Sequence, residues 1–90
     1  QDQQANDNYR FSYANALLQS GKTNQAISIF ESIIKNNRSK YVAEAYFGLA
    51  MGQLRKENTV QANELLTKYV KLEKARKKEQ ANEIIHKLKE

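Results

Sequence analysis

Three observations predict that this 90-residue chain folds as an all-α array of antiparallel helix pairs. It contains no proline, the strongest helix breaker. Its apolar residues recur at three- and four-residue steps. A 36-residue shift lays one half of that pattern over the other. Glycine is nearly as sparse, limited to Gly21, Gly48 and Gly52. Hydrophobic residues make up 40% of the chain and charged residues 28%, a balance that supports one folded domain with a small core. No cysteine is present to staple that core, so helix–helix packing has to hold it.

Residues 1–7, Q-D-Q-Q-A-N-D, read as a polar tail ending in Asp7, an N-cap for a helix over 8–19. Phe11, Tyr13, Ala14, Leu17 and Leu18 give that helix its apolar face. Gly21 follows, suited to the left-handed conformation that closes a helix. Thr23 stands before a second helix over 24–36, whose wider face is Ala26, Ile27, Ile29, Phe30, Ile33 and Ile34. The stretch N-N-R-S at 36–39 makes the turn that completes a first pair over 8–37. A second pair spans 40–72, with helices over 41–55 after Ser39 and over 60–72 after Thr59. Connections this short send successive helices back antiparallel.

The shift pairs Thr23 with Thr59, Gln25 with Gln61, Ala26 with Ala62, Phe30 with Leu66 and Ile33 with Tyr69. Upstream it pairs Phe11 with Phe47, Tyr13 with Leu49, Ala14 with Ala50 and Leu18 with Leu54. Size is matched along the whole run, which marks a repeat. Glu57 falls where the first copy has Gly21, so the second turn is expected to close by another route, through Asn58. Residues 73–90 do not fit the repeat. Their single stripe of Ala81, Ile84, Ile85 and Leu88 predicts a capping helix over 75–90, after a weakly encoded break near 74–78.

The pattern resembles the tetratricopeptide repeat. In the first copy Ala14, Gly21, Ala26 and Phe30 stand at that family's small–glycine–alanine–aromatic spacing, with Leu17 at its usual tyrosine. In the second, Tyr46, Leu49, Ala50, Ala62 and Leu66 fit. The match covers 9–72. It departs from the family in its 36-residue period, in Glu57 and in lacking the closing proline (Arg38 and Lys74 stand there). The resemblance implies a short right-handed superhelix that acts as a protein-binding scaffold. It also implies that the first helix of each pair lines a concave groove, bringing Asn8, Phe11, Asn15 and Leu18 alongside Glu44, Phe47, Met51 and Leu54. Of these, Phe11, Asn15, Leu18, Phe47, Met51 and Leu54 are the candidate contacts for a partner peptide or helix. The same stripe can instead be core, covered by the terminal helix or a second chain. A family subtype clamps a partner's C-terminal carboxylate, but of its clamp only Asn15 matches here. Phe11 and Gly48 replace two of its polar positions, so carboxylate capture is not expected.

No pattern in the chain points to catalysis, a cofactor or a metal. His86 is the sole histidine and reads as a solvent-facing helix position, while the glutamates are scattered over helix faces. No phosphate-cradling loop or nucleophile motif occurs. The net charge of +5 is concentrated at the C-terminal end: residues 68–90 carry 8 basic and 4 acidic side chains, against 7 and 6 in residues 1–67. Within K-A-R-K-K, Lys74, Arg76, Lys77 and Lys78 form a candidate patch for nucleic acid or an anionic membrane surface. The aromatic interleaving of base-stacking proteins is missing, which disfavours nucleic acid. No apolar run approaches the roughly 20 residues needed to span a bilayer. The chain opens at Gln1 and reads as an excised segment or mature product. Lack of cysteine suits cytosol and periplasm alike. Self-association through the open N-terminal edge is a third interaction mode.

Overall fold

A computed structural model describes residues 3–36 and 38–90. Among these, the chain forms five helices and no strand: α1 (Gln3–Gln19), α2 (Thr23–Lys35), α3 (Val42–Arg55), α4 (Thr59–Val70) and α5 (Lys78–Leu88). Each packs mainly on its neighbours in sequence, with a lighter contact between α1 and α3.

The repeat is visible in the burial pattern. Ala14 and Ala50, Ala26 and Ala62, Phe30 and Leu66, and Ile33 and Tyr69 are all fully buried. These four pairs sit where the helices of each unit meet, and alanine permits the close approach there. One cluster joins α1, α2 and α3 around Phe30 and Ile33. A second joins α3, α4 and α5 around Leu66 and Tyr69.

Between the units, α2 lies against two glycines of α3. A Cβ built on Gly48 would stand 2.4 Å from Cζ of Phe30, and one on Gly52 would stand 2.8 Å from Cγ1 of Ile27. Real Cβ atoms do not come so near, so both positions require glycine despite its poor helix propensity. The two glycines form adjoining notches that the large side chains of α2 fill.

Both α1 and α3 end in the same way, contrary to expectation. After α1, the Gly21 N–H donates to the Leu18 carbonyl and the Lys22 N–H to the Leu17 carbonyl, with Gly21 at φ +86°. After α3, the Glu57 N–H donates to Leu54 and the Asn58 N–H to Gln53, with Glu57 at φ +62°. These are two Schellman turns, 36 residues apart. Asn58 does not take over the left-handed position; its side-chain amide donates to Gln53 Oε1 at 2.7 Å and braces the turn. Glu57 therefore carries the strain that Gly21 avoids.

Element boundaries differ at three places. Helix α1 begins at Gln3, so Asp7 is an interior residue and not a cap, and the expected tail is helical from that point. Residues 1 and 2 lie outside the described residues. Asp7 is fully buried and stands 3.7 Å from the Arg10 guanidinium, which also donates to Ser32 Oγ on α2. A polar group with partners inside the protein has no reason to stop at the helix end. Thr23 and Thr59 are the first helical residues of α2 and α4, with Lys22 and Asn58 in the cap positions. The capping helix is shorter than expected, because the chain from 71 to 77 is not helical. The turn between α2 and α3 is held by Ser39, whose hydroxyl accepts from the Tyr41 N–H at 3.1 Å. Residue 37 of that turn lies outside the described residues.

Candidate interaction surface

The six candidate groove residues divide into three environments. Leu18 departs from expectation: only 7% exposed, it belongs to the first core cluster with Leu17 and Phe30. Its carbonyl also accepts from Arg55 Nη1 at 2.6 Å, so the end of α3 holds the end of α1. A guanidinium at the carbonyl end of a helix is favourable on charge as well. Leu18 is thus unavailable to a partner.

Phe11 and Phe47 are half-buried, each held by aromatic neighbours. Phe11 meets Phe30 edge-on with ring centroids 6.0 Å apart and stacks on Tyr41 at 5.2 Å. Phe47 tilts against Tyr69 at 5.3 Å, and the Lys77 ammonium sits 5.0 Å from its ring centroid. Met51 bridges the two core clusters and is half-buried too. Asn15 and Leu54 are partly exposed and belong to neither cluster. The α1–α3 face accordingly presents five partly buried side chains: Phe11, Phe47 and Met51, which pack against the core clusters, and Asn15 and Leu54 beside them.

The four candidate polyanion contacts are exposed around the start of α5, on the connection after α4. Lys77 is engaged with the Phe47 ring. Lys74 and Arg76 share a cleft with Glu44 and Glu73 at the start of α3, while Lys77 and Lys78 neighbour Glu79. Carboxylates interleave with these cations and dilute the field they present to a polyanion.

Tyr69 organises this connection. Its hydroxyl accepts from the backbone N–H groups of Arg76 (3.1 Å) and Lys77 (2.8 Å) and donates to Glu44 Oε1 at 3.3 Å. The phenol oxygen thereby satisfies two donors at the start of α5, where no side-chain cap does so. Burial raises the Tyr69 pKa above its ordinary value, and the Glu44 charge adds to the rise. The bonds from the Lys77 and Arg76 amides oppose it. Repeat alignment identifies Tyr69 as core but overlooks its hydroxyl. The available signal is a tyrosine opposite Ile33 of the first copy, since a buried phenol needs a polar partner.

The open N-terminal edge expected from the sequence is the outer face of α1, where Tyr13, expected on the helix's apolar face, is instead exposed beside Tyr9, which the apolar pattern does not single out. Tyr9 and Tyr13 are 70% and 47% exposed, and their rings stack with centroids 6.2 Å apart. With Val60 they are the exposed large apolar residues among those described. Tyr13 aligns with buried Leu49, and that alignment hides the difference: α2 packs on this face of α3, whereas the corresponding face of α1 is exposed.

Among the described residues, no group of three or more His, Asp or Glu side chains is placed to share a metal ion, and no helix is long and apolar enough to cross a membrane. No protein-family model, curated protein or solved structure matches the chain.

Proposed function

We propose that the chain is a non-enzymatic protein-interaction scaffold of the tetratricopeptide-like kind, with its helix pairs stacked in a right-handed superhelix. The reading rests on one observation: two helix pairs carry the same buried positions and the same Schellman closure 36 residues apart. A stack built this way is rigid, and rigidity lets it present a fixed face to a peptide or helix at low entropic cost. The α1–α3 face is the proposed binding surface. Asn15 supplies hydrogen bonds there, Leu54 and Met51 supply apolar contact, and Phe11 and Phe47 form its floor.

Leu54 and Asn15 are the informative residues: Leu54 is an apolar residue outside both core clusters, and Asn15 is a partly exposed polar one. Selection from a random peptide library on the intact chain should enrich a common motif. Its binding should be lost in Leu54→Asp and Asn15→Ala while the thermal midpoint is retained. Failure to enrich any motif, or binding indifferent to both substitutions, removes this face from consideration. Polyanion contact through Lys74, Arg76, Lys77 and Lys78 is the second reading, favoured only by their exposure.

A further inference from the structure

The 36-residue repeat gives the outer face of α1 a structural counterpart. Tyr9, Ser12, Tyr13 and Ala16 correspond to Ala45, Gly48, Leu49 and Gly52 of α3. All four α3 residues are buried: Phe30 and Ile27 of α2 fill the notches at Gly48 and Gly52, and Ala45 and Leu49 share a core cluster with α2. All four α1 residues are exposed. The α1 face is therefore continuous with the α2–α3 interface along the stacking direction, one repeat earlier and uncovered.

Three features of this face identify its occupant. The first is charge. In a chain that is 28% charged, α1 holds one acidic and one basic residue, Asp7 and Arg10, and these lie 3.7 Å apart with Arg10 also bonded to α2. The outward stripe of Asn6, Tyr9, Ser12, Tyr13, Ala16 and Gln19 is uncharged, and depletion of charge with enrichment of tyrosine characterises the centre of a protein interface. The second is shape. Where α3 has small residues that admit the bulk of α2, α1 has two tyrosine rings, so a helix as bulky as α2 cannot seat there as closely. The stripe alternates large with small instead, Tyr9 and Tyr13 beside Ser12 and Ala16, an order that lets the rings of one copy lie against the small residues of another. The third is the rest of the surface. Apart from Val60, the other described faces show no exposed large apolar residue for a second copy to offer.

We infer that the outer face of α1 is a self-association surface, on which two copies pack α1 against α1 about a two-fold axis near Ser12. The tyrosines of each copy cover the Ser12–Ala16 notch of the other. This arrangement uses an isologous patch. It also places the basic residues of 68–90, which belong to the opposite end of the stack, away from the contact. One helix face of about 25 Å lies at the lower end of the area a specific dimer needs, so association is weak and concentration-dependent.

The surface is separate from the α1–α3 face, so its failure leaves the peptide-binding reading standing. Sedimentation equilibrium over a range of roughly 5–500 µM brackets the weak-dimer regime. The apparent mass should rise from 10.4 kDa towards twice that value. Ser12→Glu sets like charges on either side of the two-fold axis and should hold the protein at the monomer mass, with an unchanged circular dichroism spectrum because Ser12 is exposed. Ser12→Cys provides an independent measurement. The natural chain has no cysteine, so this variant should form a disulfide-linked dimer on mild oxidation, whereas Gln25→Cys, exposed on α2, should not. A monomer at every concentration overturns the inference, as does a dimer that tolerates Ser12→Glu or cross-links equally well from position 25.

Discussion

Glu57 and Gly21 allow one structural term to be measured in isolation. Both stand in the left-handed region at the same position of the same turn. A non-glycine residue pays roughly 1–2 kcal/mol to be there, while glycine loses roughly 0.5–1 kcal/mol more backbone entropy on folding. Glu57→Gly should therefore stabilise the protein by about 0.5–1 kcal/mol, or about 2–8 °C in thermal midpoint for a domain of this size. Gly21→Glu should cost a similar amount. A Cβ at position 21 meets nothing within 4 Å, so no steric clash enters the comparison. The double exchange should return to within about 0.5 kcal/mol of the parent. Glu57→Gln removes the charge but keeps the strained backbone, and should be close to neutral. Urea unfolding followed at 222 nm reads all four variants, with an unchanged m-value certifying the same native state. If Glu57→Gly destabilises the protein, or Glu57→Gln stabilises it equally, backbone strain is not the operative term.

Three further outcomes follow from contacts described above. Gly48→Ala should destabilise by about 1–3 kcal/mol in the same urea assay, because displacing the fully buried Phe30 ring outweighs the gain in helix propensity. Tyr69→Phe leaves two N–H groups at the start of α5 without their acceptor, at a cost of about 1–3 kcal/mol, and amide exchange should accelerate at Arg76 and Lys77 before the rest of the protein. The raised pKa of Tyr69 also has a sign. Above about pH 10 the unfolded phenol ionises while the folded one retains its proton, so stability is full below that pH and declines above it. The decline should be shallower in Tyr69→Phe, as denaturant midpoints at pH 9 and pH 11 will show.

Helix type and pairing were legible in the sequence because Ala14, Ala26, Ala50 and Ala62 can be recognised from spacing, and all four are fully buried. Terminal details were less so. Asp7 carries the ordinary signature of an N-cap, and only Arg10 and the packing of α1 on α2 turn it inward. Glu57 gives no local warning that it will adopt a left-handed conformation, since that is imposed by the packed helices on either side. The proposed α1–α3 surface was legible as a list of residues but not as a relief. Periodicity places Leu18 on the same stripe as Asn15, yet one is core and the other partly exposed. That difference is set by how deeply each helix sinks between its neighbours, which spacing along one helix does not encode.

The glycine notches of α3 act as a two-pin lock. Gly48 and Gly52 are one turn apart, and the two side chains that enter them, Phe30 and Ile27, are matched to that separation. Only one axial setting of α2 fills both vacancies; a slide of one turn, about 5.4 Å, leaves one pin without its hole. The pitch from the first helix pair to the second is thus set by two missing methyl groups, and the Arg55 bond to the Leu18 carbonyl ties the ends of α1 and α3 at that setting.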